Sequence, residues 1–131
     1  MKKEDGFTVI ELIIFFVILV VLGAFFWIQK VDLESSFDDQ QRKTAINSIY
    51  YNLTKVYYPE NGYYPSELDP EKLTAVDPDL FIDPYGLTFG ETDSDYSYEG
   101  INCNNKGQCK DFRLTSLMEK EATYTRNAIE E

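Results

Sequence analysis

The strongest hydrophobic pattern in the chain is one continuous apolar run near the start. Residues 7–28 are 22 consecutive positions with a single charged side chain, that of Glu11. As an α-helix rising about 1.5 Å per residue, this run is roughly 33 Å long, which matches the hydrocarbon core of a bilayer. We therefore predict one transmembrane helix over residues 7–28.

Beyond residue 28 the apolar positions narrow to a stripe that recurs near every 3.6 residues. This pattern predicts an amphipathic helix that continues to about Tyr58 and is ended by Pro59. Half of the whole helix is then expected in lipid and half against a domain. The stripe consists of Ile28, Val31, Phe37, Ala45, Ile46, Ile49, Leu53, Val56 and Tyr57.

The rest of the chain alternates between turn residues and short, strand-like segments. Pro59 and Gly62 predict a turn, which is followed by a short helix capped by Ser66 with Asp69 at its third position. Strands are predicted at 88–89, 96–98, 112–117 and 122–125. The predicted fold class is α+β, in which a long N-terminal helix, with a membrane-spanning first half and an amphipathic second half, packs against a small antiparallel sheet.

Composition restricts the functions that the chain can have. The sequence contains 23 acidic and 12 basic residues and no histidine, which gives a net charge of −11. Residues 29–131 carry nearly all of this charge, so we expect no direct nucleic-acid binding by this surface. We also identify no nucleophile paired with a base and no pair of acids in a catalytic motif, and therefore predict no catalytic residues and no enzyme activity.

Glu11 is the residue of the apolar run that needs an explanation. A lone carboxylate in lipid is unfavourable by a few kcal/mol, so it is expected to meet a partner in the working state of the protein. The sequence suggests no partner close to it on the same helix.

The residues around Glu11 resemble the class III signal of type IV pilins and pseudopilins. The resemblance lies in a leader with two lysines, a glycine at position 6, and Phe7-Thr-Val-Ile-Glu11 opening a hydrophobic helix. It implies that a prepilin peptidase cleaves between Gly6 and Phe7 and methylates the new amino group of Phe7. It also implies a leader over residues 1–6, a transmembrane and assembly helix over 7–28, and an ectodomain over 29–131 that includes the amphipathic half of the helix.

The resemblance further implies how Glu11 is used. In a homo-oligomeric helical filament, the amino group of Phe7 on one subunit would pair with Glu11 on a neighbour, which favours assembly and sets register. The expected location is a single-pass cytoplasmic membrane protein with its ectodomain outside, followed by an extracellular pilus built with the pilus assembly machinery. The Tyr-Tyr-Pro segments near residue 60 and Asp83-Pro84-Tyr85-Gly86 are weaker likenesses to the same family.

Three functions are compatible with these features. The favoured one is a structural subunit of a type IV pilus that supports adhesion, motility or DNA uptake. The second is a pseudopilin of a type II secretion or competence system, and the third is a membrane-anchored binding module that does not polymerise. The sequence alone does not separate them.

Cys103 and Cys109 are the only cysteines in the chain. An even number of cysteines in an exported domain predicts a disulfide bond between them. On the chain-entropy model so short a loop would contribute only about 2 to 2.5 kcal/mol, so its role is expected to be local.

The acidic segment around residue 93 is the only candidate metal site. Glu91, Asp93 and Asp95 could supply oxygen ligands to calcium, as residues in a nearby region do in pseudopilins of type II secretion. The segment lacks the twelve-residue loop pattern of a specific calcium site, so a solvated acidic turn is the alternative. No other cofactor is expected.

Overall fold

The computed structural model describes residues 8–128. The predicted α+β fold, a long N-terminal helix with a small antiparallel sheet, is confirmed. The chain divides into two compact units between Ser35 and Ser36. In order, the elements are α1 (Val9–Asn52), a π-helical turn (Leu53–Tyr57), α2 (Tyr58–Asn61), β1 (Tyr64–Pro65), a 3-10 helix (Pro78–Phe81), β2 (Tyr96–Cys103), β3 (Gln108–Ser116) and β4 (Tyr124–Asn127).

The helix reaches further than predicted, and Pro59 does not end it. In the π-helical turn the N–H of Tyr58 bonds to the carbonyl of Leu53, five residues back. This wider turn relieves the backbone just before Pro59, whose ring would otherwise crowd the carbonyl four residues earlier. The helix ends instead at Gly62, which has a φ of 76° and donates its N–H to the carbonyl of Tyr58 at 2.7 Å.

The second unit has its own hydrophobic core between the C-terminal part of α1 and the sheet. The predicted stripe is correct from position 45 to 53 and wrong before it, because Val31 and Phe37 are more than half exposed. Phe112 occupies the centre of the core and contacts the rings of Tyr50, Tyr64 and Tyr98. The core consists of Ala45, Ile46, Ile49, Leu53, Tyr64, Leu73, Val76, Phe81, Tyr96, Cys109, Phe112 and Leu114.

The sheet is antiparallel and is organised around β3. Strand β2 pairs along nearly the whole of β3, with Tyr96 opposite Ser116 and Cys103 opposite Cys109. Strand β1 pairs with the start of β3, and β4 pairs with its end. Buried and less buried residues alternate over 112–116 of β3, as expected for a strand with one face on a core.

Two local predictions are wrong, and a third element is shifted along the chain. No helix forms at Ser66, because Pro70 lacks the N–H that a fourth helical position must donate, and Asp69 instead accepts the N–H of Glu71 in a turn. The predicted strand at 88–89 is reduced to a single bridge between Ile82 and Thr88. The predicted strand at 122–125 begins two residues later, at Tyr124.

Candidate functional site

The first candidate site is the apolar part of α1. It is long and apolar enough to cross a membrane. Its large apolar side chains between Val9 and Ile28 are 48–76 % exposed, so the first unit provides no core for them. These side chains therefore require lipid or protein from outside the chain as their cover.

Glu11 has a partner on its own helix, contrary to the expectation from the sequence. Its Oε2 atom accepts the backbone N–H of Thr8 at 2.8 Å and the Thr8 hydroxyl at 2.9 Å. The N–H of Glu11 lies 3.4 Å from the Thr8 hydroxyl oxygen, which completes a reciprocal capping box at the start of α1. The Thr-x-x-Glu spacing is the sequence signal that could have predicted it.

The proposed processing site lies outside the described residues. Gly6 and Phe7, at which cleavage and methylation were predicted, precede Thr8, the first residue that the structure describes. Both modifications therefore remain predictions, as does the pairing of the Phe7 amino group with Glu11.

A buried arginine, which no pattern in the sequence had indicated, joins several parts of the second unit. Arg42 is 1 % exposed. Its guanidinium donates to Asp39 on the same helix at 2.9 Å, to Asp95 at 2.7 and 3.0 Å, and to Glu119 at 3.1 Å. The centroid of the Tyr85 ring lies 5.6 Å from the guanidinium carbon. We call Arg42, Asp39, Asp95, Glu119 and Tyr85 the arginine cluster.

Each carboxylate of the cluster comes from a different part of the unit. Asp39 accepts the backbone N–H groups of Glu119 and Lys120 at 2.9 and 3.0 Å, which ties the helix to the segment after β3. Burial disfavours the ionised form of Asp39, but these N–H groups and Arg42 outweigh it and hold its pKa below the ordinary value. Burial also opposes the charge of Arg42, yet hydrogen bonds to Asp95 and Glu119 raise its pKa further. Asp39 and Arg42 are therefore both charged in the neutral pH range.

Asp83 fixes the turn beside the cluster. Its carboxylate accepts the N–H groups of Tyr85, Leu87 and Asp95 at 2.8–3.0 Å. Although burial opposes ionisation, these bonds lower the pKa of Asp83. The predicted turn at 83–86 is present, with the N–H of Gly86 on the Asp83 carbonyl at 2.9 Å.

The three calcium candidates are used separately in the structure. Glu91 accepts the N–H of Thr88, and Asp95 pairs with Arg42. Asp93 is exposed, at a φ of 70°. Residues 8–128 contain no group of three acidic, histidine or cysteine side chains that could hold a metal ion. The structure thus gives no support to a calcium site here.

The predicted disulfide bond between Cys103 and Cys109 is confirmed. The two cysteines face each other across β2 and β3, and close a loop of five residues, 104–108, that is held by the Asn104 side chain. The bond packs on Gly100, where an added Cβ would lie 2.7 Å from the Cys109 sulfur and 3.1 Å from the Pro65 carbonyl oxygen. Only glycine fits at this position without a shift of its neighbours.

Comparisons with family models, with curated proteins and with solved structures find no match to this chain. The resemblance to type IV pilins therefore depends on residues of this chain alone.

Proposed function

We propose that the chain is a structural subunit of a type IV pilus, which is held in the membrane by residues 7–28 and then polymerises through the same helix. The observation that carries the proposal is the apolar segment of α1, in which large side chains are exposed on every face. A solitary anchor needs only lipid. A filament in water needs these side chains to bury one another.

The size of the apolar surface is sufficient for assembly. At about 25 cal/mol per Å² of apolar surface, each large side chain that becomes buried contributes on the order of 2 kcal/mol. Phe15, Phe16, Phe25, Phe26 and Trp27 are each more than half exposed. A few such contacts, repeated between neighbouring subunits, would hold a filament together.

The negative charge of Glu11 supports the proposal, even though Glu11 also caps the helix. A glutamine in a capping box can also reach the N-terminal N–H, so helix capping alone does not require a charge. A carboxylate adds something only where a cation approaches it, and in the proposed filament that cation is the amino group of Phe7 from a neighbour. The charge of Glu11 and its capping function can therefore be tested separately.

The decisive experiment compares Glu11→Gln with Thr8→Ala in cells that export the protein. Glu11→Gln keeps a capping side chain and removes the charge, so we expect normal membrane levels and a loss of filaments of about tenfold or more. Thr8→Ala removes the cap and keeps the charge, at a cost of about 1 kcal/mol to the helix, so filaments should form. Sheared surface filaments would be quantified by gel and by mass spectrometry, which also tests for Phe7 as the first residue.

Glu34→Gln is the matched control, because it removes a carboxylate of the same helix that lies beyond the apolar segment and pairs with Lys30. It should leave filament yield unchanged. Normal filaments from Glu11→Gln would contradict the proposed role of the charge. Failure of the parent chain to appear in any surface filament would favour the pseudopilin or the anchored module instead.

A further inference from the structure

A repeated aromatic motif spans the end of the helix, and its two copies meet in space. A Tyr-Tyr-Pro sequence occurs twice, six residues apart. The turn at Gly62 places the Tyr57 ring edge-on to Tyr63, with centroids 6.1 Å apart, and stacks Tyr58 on Tyr64 at 4.7 Å. Each of these rings is thus held in position by a neighbouring ring.

The hairpin between β2 and β3 forms a groove with this tyrosine turn. The groove has a volume of about 440 Å³. We call it the hairpin groove, and its polar and aromatic lining consists of Tyr58, Tyr63, Asn102, Asn104, Gln108 and Lys110. No carboxylate lines it among the described residues, although the chain as a whole has a net charge of −11.

The hairpin is locally basic. Residues 102–110 include Lys106 and Lys110 and no acidic residue. Within the described part of the chain neither ammonium group has an ion-pair partner, whereas Lys43, Lys72 and Arg113 each pair with a carboxylate. Lys110 therefore remains available within the hairpin groove to a ligand that carries negative charge, whereas Lys106 lines another pocket together with Glu67 and Asp69.

The amide side chains of the hairpin have distinct roles. Asn104 is committed to the turn, because its oxygen accepts the N–H groups of Lys106 and Gln108 and its amide N–H donates to the Gln108 side chain. Asn102 is exposed, and its side chain makes no hydrogen bond within residues 8–128. It can donate to and accept from a hydroxyl group of a ligand.

We propose that the hairpin groove binds an acidic polysaccharide. The Tyr58 and Tyr63 rings offer flat apolar surfaces to sugar rings, Asn102 hydrogen-bonds sugar hydroxyls, and Lys110 pairs with a sugar carboxylate. Rings already held by their neighbours lose little freedom on binding. An acidic peptide is the competing ligand class, but no aliphatic side chain lines the groove, among the described residues, to hold the side chains of a peptide. This inference is independent of the filament proposal.

The test measures binding of hyaluronan oligosaccharides to the full chain in detergent micelles by calorimetry. We expect binding that weakens with added salt. Tyr63→Ala should weaken it about fivefold, and Lys110→Gln about threefold. Tyr63→Phe should retain it, because the ring is kept. Neutral maltooligosaccharides and polyglutamate serve as comparison probes.

Lys55→Gln is the matched control, because Lys55 is exposed and does not line the groove. It should leave affinity unchanged. Thermal unfolding of each variant identifies any that fail to fold. If Tyr63→Ala fails to fold, the affinities of Tyr63→Phe and Lys110→Gln for hyaluronan test the proposal. Any one of four results would overturn the proposal. These are no detectable binding of hyaluronan, equal affinity for the neutral probe, tighter binding of polyglutamate, and equal losses of affinity from Lys55→Gln and Lys110→Gln.

Discussion

The two compact units of the chain differ in how they cover their apolar side chains. In the first unit, the large apolar side chains between Val9 and Ile28 are exposed. In the second, twelve apolar residues from the helix, the loops and the sheet form a core. The same continuous helix α1 contributes to both units, so helix formation alone does not determine whether a segment is stable without a partner. What determines it is whether the rest of the chain buries the apolar side chains of that segment.

Removing the first unit's apolar segment should produce the largest effect. A chain shortened to start at Gln29 retains the whole core, so we expect it to be soluble and monomeric, whereas the full chain should require detergent or a filament. Sedimentation at several protein concentrations measures this difference.

The opposite outcome is equally informative. If the shortened chain itself forms filaments, the second unit carries an assembly surface and the contrast between the units fails. The same would follow if the full chain, without detergent, remained monomeric in solution.

The second prediction concerns the arginine cluster of the second unit. Arg42→Met leaves Asp39 and Asp95 without their cation, and removal of one partner from a buried pair typically costs about 3 kcal/mol or more. Urea unfolding of the shortened chain measures the change in free energy. Lys43→Met is the matched control: Lys43 pairs at 2.6 Å with Glu121, a half-exposed side chain, so its loss should cost less than about 1 kcal/mol. Equal losses from the two variants would mean that the arginine cluster adds no more than a surface pair.

The arginine cluster also marks the limit of what the sequence could predict. The apolar run over 7–28 and the stripe at 45–53 were readable, because helix periodicity depends on residues close together in the chain. Arg42 was not, because Asp95 and Glu119 lie 53 and 77 positions away and only the folded chain brings them to it. The available signal was local: Asp39 and Arg42 stand three residues apart just before the buried stripe.

The strands also divide into those that a local sequence pattern predicted and those that depend on residues distant in the chain. Those over 96–98 and 112–117 were located approximately, because alternation is a local pattern, although the true strands β2 and β3 are longer. Strand β1 was missed, since two residues ending in a proline give no alternation and form a strand only by pairing with β3. Glu11 is the reverse case. Its capping partner Thr8 is close to it in the sequence, yet the prediction gave Glu11 no partner on its own helix.

The third prediction addresses the contact between the disulfide and the sheet. Gly100→Ala places a Cβ within 2.7–3.1 Å of both sulfurs and of the Pro65 carbonyl, and overpacking of this kind costs about 1 to 3 kcal/mol. The same substitution in a chain with Cys103→Ala and Cys109→Ala should cost less, because only the carbonyl contact remains. Urea unfolding of the four chains gives the coupling energy. A zero coupling would mean that the disulfide does not exclude a side chain at position 100.

The last prediction is the response of the second unit to acid. Asp39 and Asp83 have pKa values below the ordinary 3.8, because hydrogen bonds to their ionised forms outweigh their burial. The unfolded chain therefore binds protons more readily, so the stabilisation is fully present above that ordinary value and is lost as pH falls through the folded values. Urea unfolding of the shortened chain should give a nearly constant stability between about pH 7 and pH 5 and a decline below about pH 4.

Asp39→Asn tests whether the cluster causes this decline. The variant should be less stable than the parent at neutral pH, since it removes a charged acceptor from Arg42 and from two backbone N–H groups. Its stability should then fall less steeply in acid, because one of the two titrating groups is gone. High salt separates the protonation of Asp39 from general charge repulsion. Salt screens charges strongly at exposed sites and much less at buried ones. A decline that salt abolishes would place the acid sensitivity on the exposed acidic surface, whereas a decline that Asp39→Asn leaves equally steep would exclude Asp39 as its source.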